Sequence, residues 1–143
     1  MSVLRKYVSL SMVMILLLSF YSTAFAAGDD QVLRASPYIR SSSINVFADG
    51  NGKLRVESYV GATGVVDKLG IKELSIQKKS NGYWVPVEVL ISDNYKYDAI
   101  SYIYDTFYYG SAGTTYRAYV EFYVEKDNGS ETKISVSSPV TVE

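Results

Sequence analysis

Asp93, Asp98 and Asp105 stand close together in the sequence. Neighbouring carboxylates are the equipment of glycoside hydrolysis, one as acid and the other as base or nucleophile. Exposed, solvated acids are equally the ordinary state of Asp, and nothing beside these three supplies a sugar groove. "DGNG" (Asp49 to Gly52) and "DNYKYD" (Asp93 to Asp98) hold oxygen ligands that calcium uses. Calcium takes about 6–8 oxygens, and the EF-hand spacing with its acidic twelfth position is missing. The chain has no His and no Cys. That excludes Ser-His and Cys-His nucleophilic sites and zinc held by nitrogen and sulfur. No phosphate-binding loop or dinucleotide fingerprint is present. The inventory leads to an expectation of no catalytic residue, no cofactor and no metal. Asn128-Gly129-Ser130 matches the N-glycosylation pattern and is also an ordinary turn.

Tyrosine is the enriched residue, with 14 in the chain. On the stretch 116–125, Arg117, Tyr119 and Tyr123 share one face, which makes them the candidate surface for binding. Tyr offers amphipathic contact area at low entropic cost, which suits glycans and protein partners. Tyr also favours strands without any ligand, because it packs well across them. Both readings fit.

The elements that position these residues are strands. "SINVFAD" alternates, with Ile44, Val46 and Ala48 on one face, and Gly50 to Gly52 is a hairpin signal. Leu54, Val56, Ser58 and Val60 alternate with Lys53, Arg55, Glu57 and Tyr59, until Gly61 to Gly64 interrupts. "IKELSIQKKSNGYWVPVEVLI" reads as a second hairpin turning at Ser80-Asn81-Gly82. Pro86 has no N–H to donate, so its strand belongs at an edge. Ser92 to Asp98 reads as a loop, and helix fits only as a short turn, for example around Asp67 to Gly70. Ile100 to Tyr109 is strand-like but apolar on both faces, so its phase is ambiguous. Tyr116, Ala118, Val120, Phe122 and Val124 form a clean inward face. After the turn Asp127-Asn128-Gly129, Ile134 and Val136 are placed inward, and Ser137-Ser138-Pro139 marks a bulge or a change of partner. About seven short strands with regular turns predict an all-β, antiparallel sandwich. An eight-stranded barrel is the rival.

The first residues differ from the rest. Arg5 and Lys6 precede the apolar run from Val8, and Ala24-Phe25-Ala26 offers small residues at a cleavage position. This is the pattern of a secretory signal peptide, residues 1–26. The alternative is a retained anchor, but the run to Phe20 is shorter than the ~20 residues of a spanning helix. Residues 27–36 are then a flexible segment and 37–143 the sandwich domain. Removing Arg5 and Lys6 leaves 12 basic against 15 acidic residues, a net charge of −3. That gives no basic footprint for nucleic acid. The expected location is extracellular, with no membrane attachment once the signal is cut.

"GTTYRAYVEFYV" and "SSPVTV" resemble the corresponding strands of immunoglobulin-like and fibronectin type III sandwiches. The resemblance implies that Tyr116 is a tyrosine corner, its hydroxyl bonded back to the chain. "LSIQKKSNGYWVPV" together with those two motifs is also similar to a group of small secreted proteins of Gram-positive bacteria, which brings no activity with it. Three functions follow as expectations. The first is a secreted, non-catalytic module that binds an extracellular glycan or protein. The second is an envelope protein that self-associates through the edge of strand 83–91. The last is a small enzyme or toxin.

Overall fold

The computed structural model describes residues 36–143. The expected signal peptide, residues 1–26, lies outside the described residues, as does the expected flexible segment up to residue 35. Six strands follow in order: β1 (Ile39–Gly50), β2 (Lys53–Ser80), β3 (Tyr83–Tyr109), β4 (Thr115–Lys126), β5 (Gly129–Val136) and β6 (Val140–Thr141). All pairings are antiparallel.

The count of strands is a correction to the sequence reading, and its cause is the length of β2 and β3. Gly61 to Gly64 does not end a strand. It bends one: between Gly61 and Val66, β2 carries three more residues than the facing stretch of β3. The first half of β2 lies between β1 and β3, and the second half between β3 and β4. Likewise Ser92 to Asp98 is strand, not loop. Its polar side chains misled the reading, but its backbone pairs with β2, from Lys68↔Tyr97 to Glu73↔Ser92. Asp93 and Asp98 take φ of 51° and 49°, the left-handed conformation that Asp tolerates better than most residues. Asp67 to Gly70 is strand rather than a helical turn.

The sheet curls so that its two halves enclose one core. Leu54, Val56 and Val60 from the first half join Leu69, Ile71, Leu74, Ile76, Val120, Phe122 and Val124 from the second. The inward face expected for β4 is observed, since Tyr116, Ala118, Val120, Phe122 and Val124 are all buried. Ile134 and Val136 are a second correction. They are 56% and 43% exposed, because β5 pairs Ile134 with Glu121 and Val136 with Tyr119, on the outer face. Of the apolar trio expected on β1, Ile44 and Val46 are buried but Ala48 is exposed.

Two side-chain devices lock the ends. The Ser111 N–H donates to the Tyr116 hydroxyl oxygen at 3.0 Å, so Tyr116 ties down the turn before its own strand. Burial works to raise the Tyr116 hydroxyl pKa, but bonds from Ser111, Thr114 and Tyr108 outweigh it and hold the value below the ordinary one. At the other end, Glu131 Oε2 accepts the N–H groups of Tyr38 at 2.9 Å and Ile39 at 3.0 Å. Its Oε1 accepts the Ser36 hydroxyl. The Ser137-Ser138-Pro139 break is a bulge, not a change of partner, because β5 and β6 both pair with β4. Ser137 caps it, with its hydroxyl oxygen accepting the Ala118 N–H at 3.0 Å.

Candidate functional site

The curled sheet has two outer faces. Arg117, Tyr119 and Tyr123 lie half-buried on the face of the β2–β4 half. Arg117 Nε donates to Gln77 Oε1 at 2.8 Å, and its guanidinium stands 4.3 Å over the Trp84 ring. Tyr123 meets Tyr95 edge-on at 5.8 Å. The Lys68 ammonium stands 4.1 Å from the Tyr95 ring centre and 5.3 Å from that of Tyr123. The Tyr123 hydroxyl donates to Glu125 Oε2 at 2.9 Å. Between the tyrosines, Glu121 bonds Lys72 at 2.7 Å, which raises the Lys72 pKa. Burial, with a bond to Asp93, pushes the Tyr95 hydroxyl up to about 12. Arg117 and Tyr123 therefore have their polar groups engaged by neighbours. Tyr119 sits across from Ser75 and Val136.

The second outer face, on the β1–β2–β3 half, is organised differently. Strand register places its residues in rows: Phe47–Arg55–Phe107, then Asn45–Glu57–Asp105, then Ser43–Tyr59–Ile103, then Ser41–Gly61–Ser101. The third row and the second frame a shallow depression of about 260 Å³, lined by Ser43, Asn45, Glu57, Tyr59, Ile103 and Asp105. That lies just below the usual range of small-ligand sites.

Gly61 explains how the floor forms. A Cβ built there would overlap the Tyr59 hydroxyl. Without one, the Tyr59 side chain lies along the strand over residue 61 instead of standing off the sheet. Beside the ring come an amide (Asn45), a hydroxyl (Ser43) and two carboxylates (Glu57 and Asp105). Glu57 and Asp105 are direct cross-strand neighbours, and like charges so placed oppose each other. Arg55 offsets this for Glu57, with which it forms an ion pair, as it does with Asp49 at 3.1 Å. The row beyond is aromatic. Phe47 and Phe107 are exposed, with the Arg55 guanidinium 4.6 Å over one ring and the Lys53 ammonium 3.7 Å over the other.

An apolar ring flanked by hydrogen-bonding groups can take a ligand with one C–H face and a rim of hydroxyls. The three acids considered from sequence do not form one cluster. Asp93 lies between the residues paired with Ile71 and Glu73, and Asp98 between those paired with Val66 and Lys68, while Asp105 pairs with Glu57 and belongs to the depression. Among the described residues no group of three acidic side chains is placed to hold a metal ion. Sequence reasoning missed Asn45, Glu57 and Tyr59 as site residues. Alternation put Glu57 and Tyr59 on an outer face, but only the register of β1 and β3 brings Asn45 and Asp105 beside them.

Comparison with protein-family models, with curated proteins and with solved structures finds no match for this chain.

Proposed function

We propose that the chain is a secreted, non-catalytic module that binds an extracellular glycan through the depression around Tyr59. The observation that carries this reading is the Tyr59 ring lying over Gly61 beside Asn45, Glu57 and Asp105. Sugar rings stack their C–H faces on such aromatic surfaces while their hydroxyls bond to carboxylates and amides. The same reading makes the fold an immunoglobulin-like or fibronectin type III-like sandwich, of the kind found among small secreted Gram-positive proteins. The tyrosine corner at Tyr116 supports that kinship. The absence of His and Cys excludes nucleophilic sites that depend on them.

The test is affinity electrophoresis of the protein through gels containing soluble β-glucans, chitin oligomers or cell-wall polysaccharide. Retardation by one class is expected. Tyr59→Ala should weaken it about tenfold, the order expected for loss of an aromatic contact with its buried area. If no polysaccharide retards the protein, the reading fails. If Tyr119→Ala abolishes retardation while Tyr59→Ala does not, the ligand sits on the other face.

A further inference from the structure

The free edge of the same half differs along its length. Among the described residues β3 pairs with β2 alone, so one side of β3 is open along its length. Its two halves treat that edge differently. In residues 83–98 the edge is interrupted by Pro86, by bulges at Val87 and Leu90, and by left-handed Asp93 and Asp98. Such features are the usual protection against unwanted pairing. From Ser101 to Tyr109 none of them occurs. The register runs without a shift from Gly61↔Ser101 to Lys53↔Tyr109.

The direction of the edge amides follows from one bond. The Gly110 N–H donates to the Gly52 carbonyl at 2.8 Å. In an antiparallel ladder bonding and non-bonding positions alternate. Residues 102, 104, 106 and 108 therefore turn their amides to β2. Those of Ser101, Ile103, Asp105, Phe107 and Tyr109 point outward, with no strand to receive them. The flanking side chains are suited to a neighbour. Ile103, Phe107 and Tyr109 are exposed on one face, at 68%, 47% and 70%. Tyr102, Tyr104 and Tyr108 are half-buried against the core on the other. Asp105 is the single charge of the stretch.

We propose that Ser101–Tyr109 is a strand-addition site. Its occupant is an extended segment of a partner protein with alternating apolar residues and a basic residue facing Asp105. Main-chain bonds supply affinity in this mode and side-chain positions supply selectivity. Charge argues against a second copy of the same edge. Two-fold pairing would bring the Asp105 carboxylates of both copies together, each already beside Glu57. The site shares Ile103 and Asp105 with the glycan depression, and Tyr59→Ala, which alters neither, separates the two.

The probe is a blocked nine-residue peptide of alternating threonine and valine with lysine at the centre, N-methylated along one edge against self-stacking. Its fluorescein conjugate is titrated with the protein by anisotropy. Saturable binding is expected, tighter by about two- to fivefold than for the peptide with glutamate at the centre. Ile103→Pro removes an outward donor while sparing the β2 ladder, and should weaken binding at least tenfold. Asp105→Lys should reverse the order of the two peptides. Equal affinity for both peptides overturns the proposal, and so does undiminished binding by Ile103→Pro. Sedimentation showing a dimer that the peptide dissociates would make the occupant a second copy, which also overturns it.

Discussion

Glu131→Gln isolates the clasp that holds the start of the domain. In the native protein one carboxylate accepts the N–H groups of Tyr38 and Ile39 and the hydroxyl of Ser36. Glutamine keeps one acceptor oxygen and turns an NH₂ towards the others, so at least one donor set faces another donor. Hydrogen bonds to a charged group contribute about 1.5–3 kcal/mol. Glu131 is half-buried, so the lower to middle part of that range, about 1.5–2 kcal/mol, is expected for the whole clasp. For a domain near this size that is roughly a 6–8 °C fall in Tm, at about 4 °C per kcal/mol. The pH dependence supplies the sign. Burial alone would raise the Glu131 pKa, but Ser36 and the two N–H groups hold it below its ordinary 4.5. Above that value the carboxylate is ionised in folded and unfolded chain, and the clasp contributes fully. As pH falls through the ordinary value towards the folded one, the unfolded chain takes up its proton first and the contribution disappears. Thermal melts followed by circular dichroism, wild type against Glu131→Gln, should therefore show a gap at pH 7 that closes on acidification below 4.5. A gap of under 1 °C at pH 7, or one equally wide at pH 3, refutes the reasoning.

Phe122→Ala removes the largest fully buried side chain and should cost about 3–5 kcal/mol in urea unfolding. Gly70→Ala should prevent the β2–β3 pairing from closing, because the new Cβ would overlap the Asn94 carbonyl oxygen; reduced soluble yield and loss of native near-ultraviolet signal would show it. Tyr116→Phe leaves the Ser111 N–H without its acceptor and should cost about 1 kcal/mol, measured by the same urea titration. Tyr95→Phe should delete one late step near pH 12 from the spectrophotometric tyrosine titration, since that hydroxyl is pushed up to about 12.

The parts of the fold legible in the sequence are those where a side chain's environment changes at every residue. β4 is buried on one face and covered only in part on the other, so its alternation from Tyr116 to Glu125 could be read directly. The hairpin turns were legible because Asn51 and Asn81 adopt positive φ beside glycine and Asp127 adopts it two residues before one. β5 failed this test. As an edge strand it buries little on either side, so Ile134 and Val136 gave a pattern without a direction. For the stretch 92–98 composition said loop, whereas ladder hydrogen bonds to β2 hold it as strand. The ambiguous stretch 100–109 resolves the same way. Tyr102, Tyr104 and Tyr108 turn to the core and Ile103, Asp105 and Phe107 away, a phase set by Ser58 and Val60 across the ladder. The candidate depression is a product of register, and register between distant segments is not written in any one of them.

The unbroken passage of β2 and β3 through both halves has a consequence for how the protein comes apart. In a sandwich of separate short strands, one layer can fray while the other persists. Here the same two backbone segments hydrogen-bond in both layers, so loosening either layer strips partners from the other. Neither half is a unit that can be excised, and a cut at the bend around Thr63 would leave two fragments that each lack half of a shared strand. The long hairpin is expected to make unfolding cooperative across both halves, as a single calorimetric transition would show. Its sequence-distant pairings, from Lys53↔Tyr109 inward, place folding among the slower topologies.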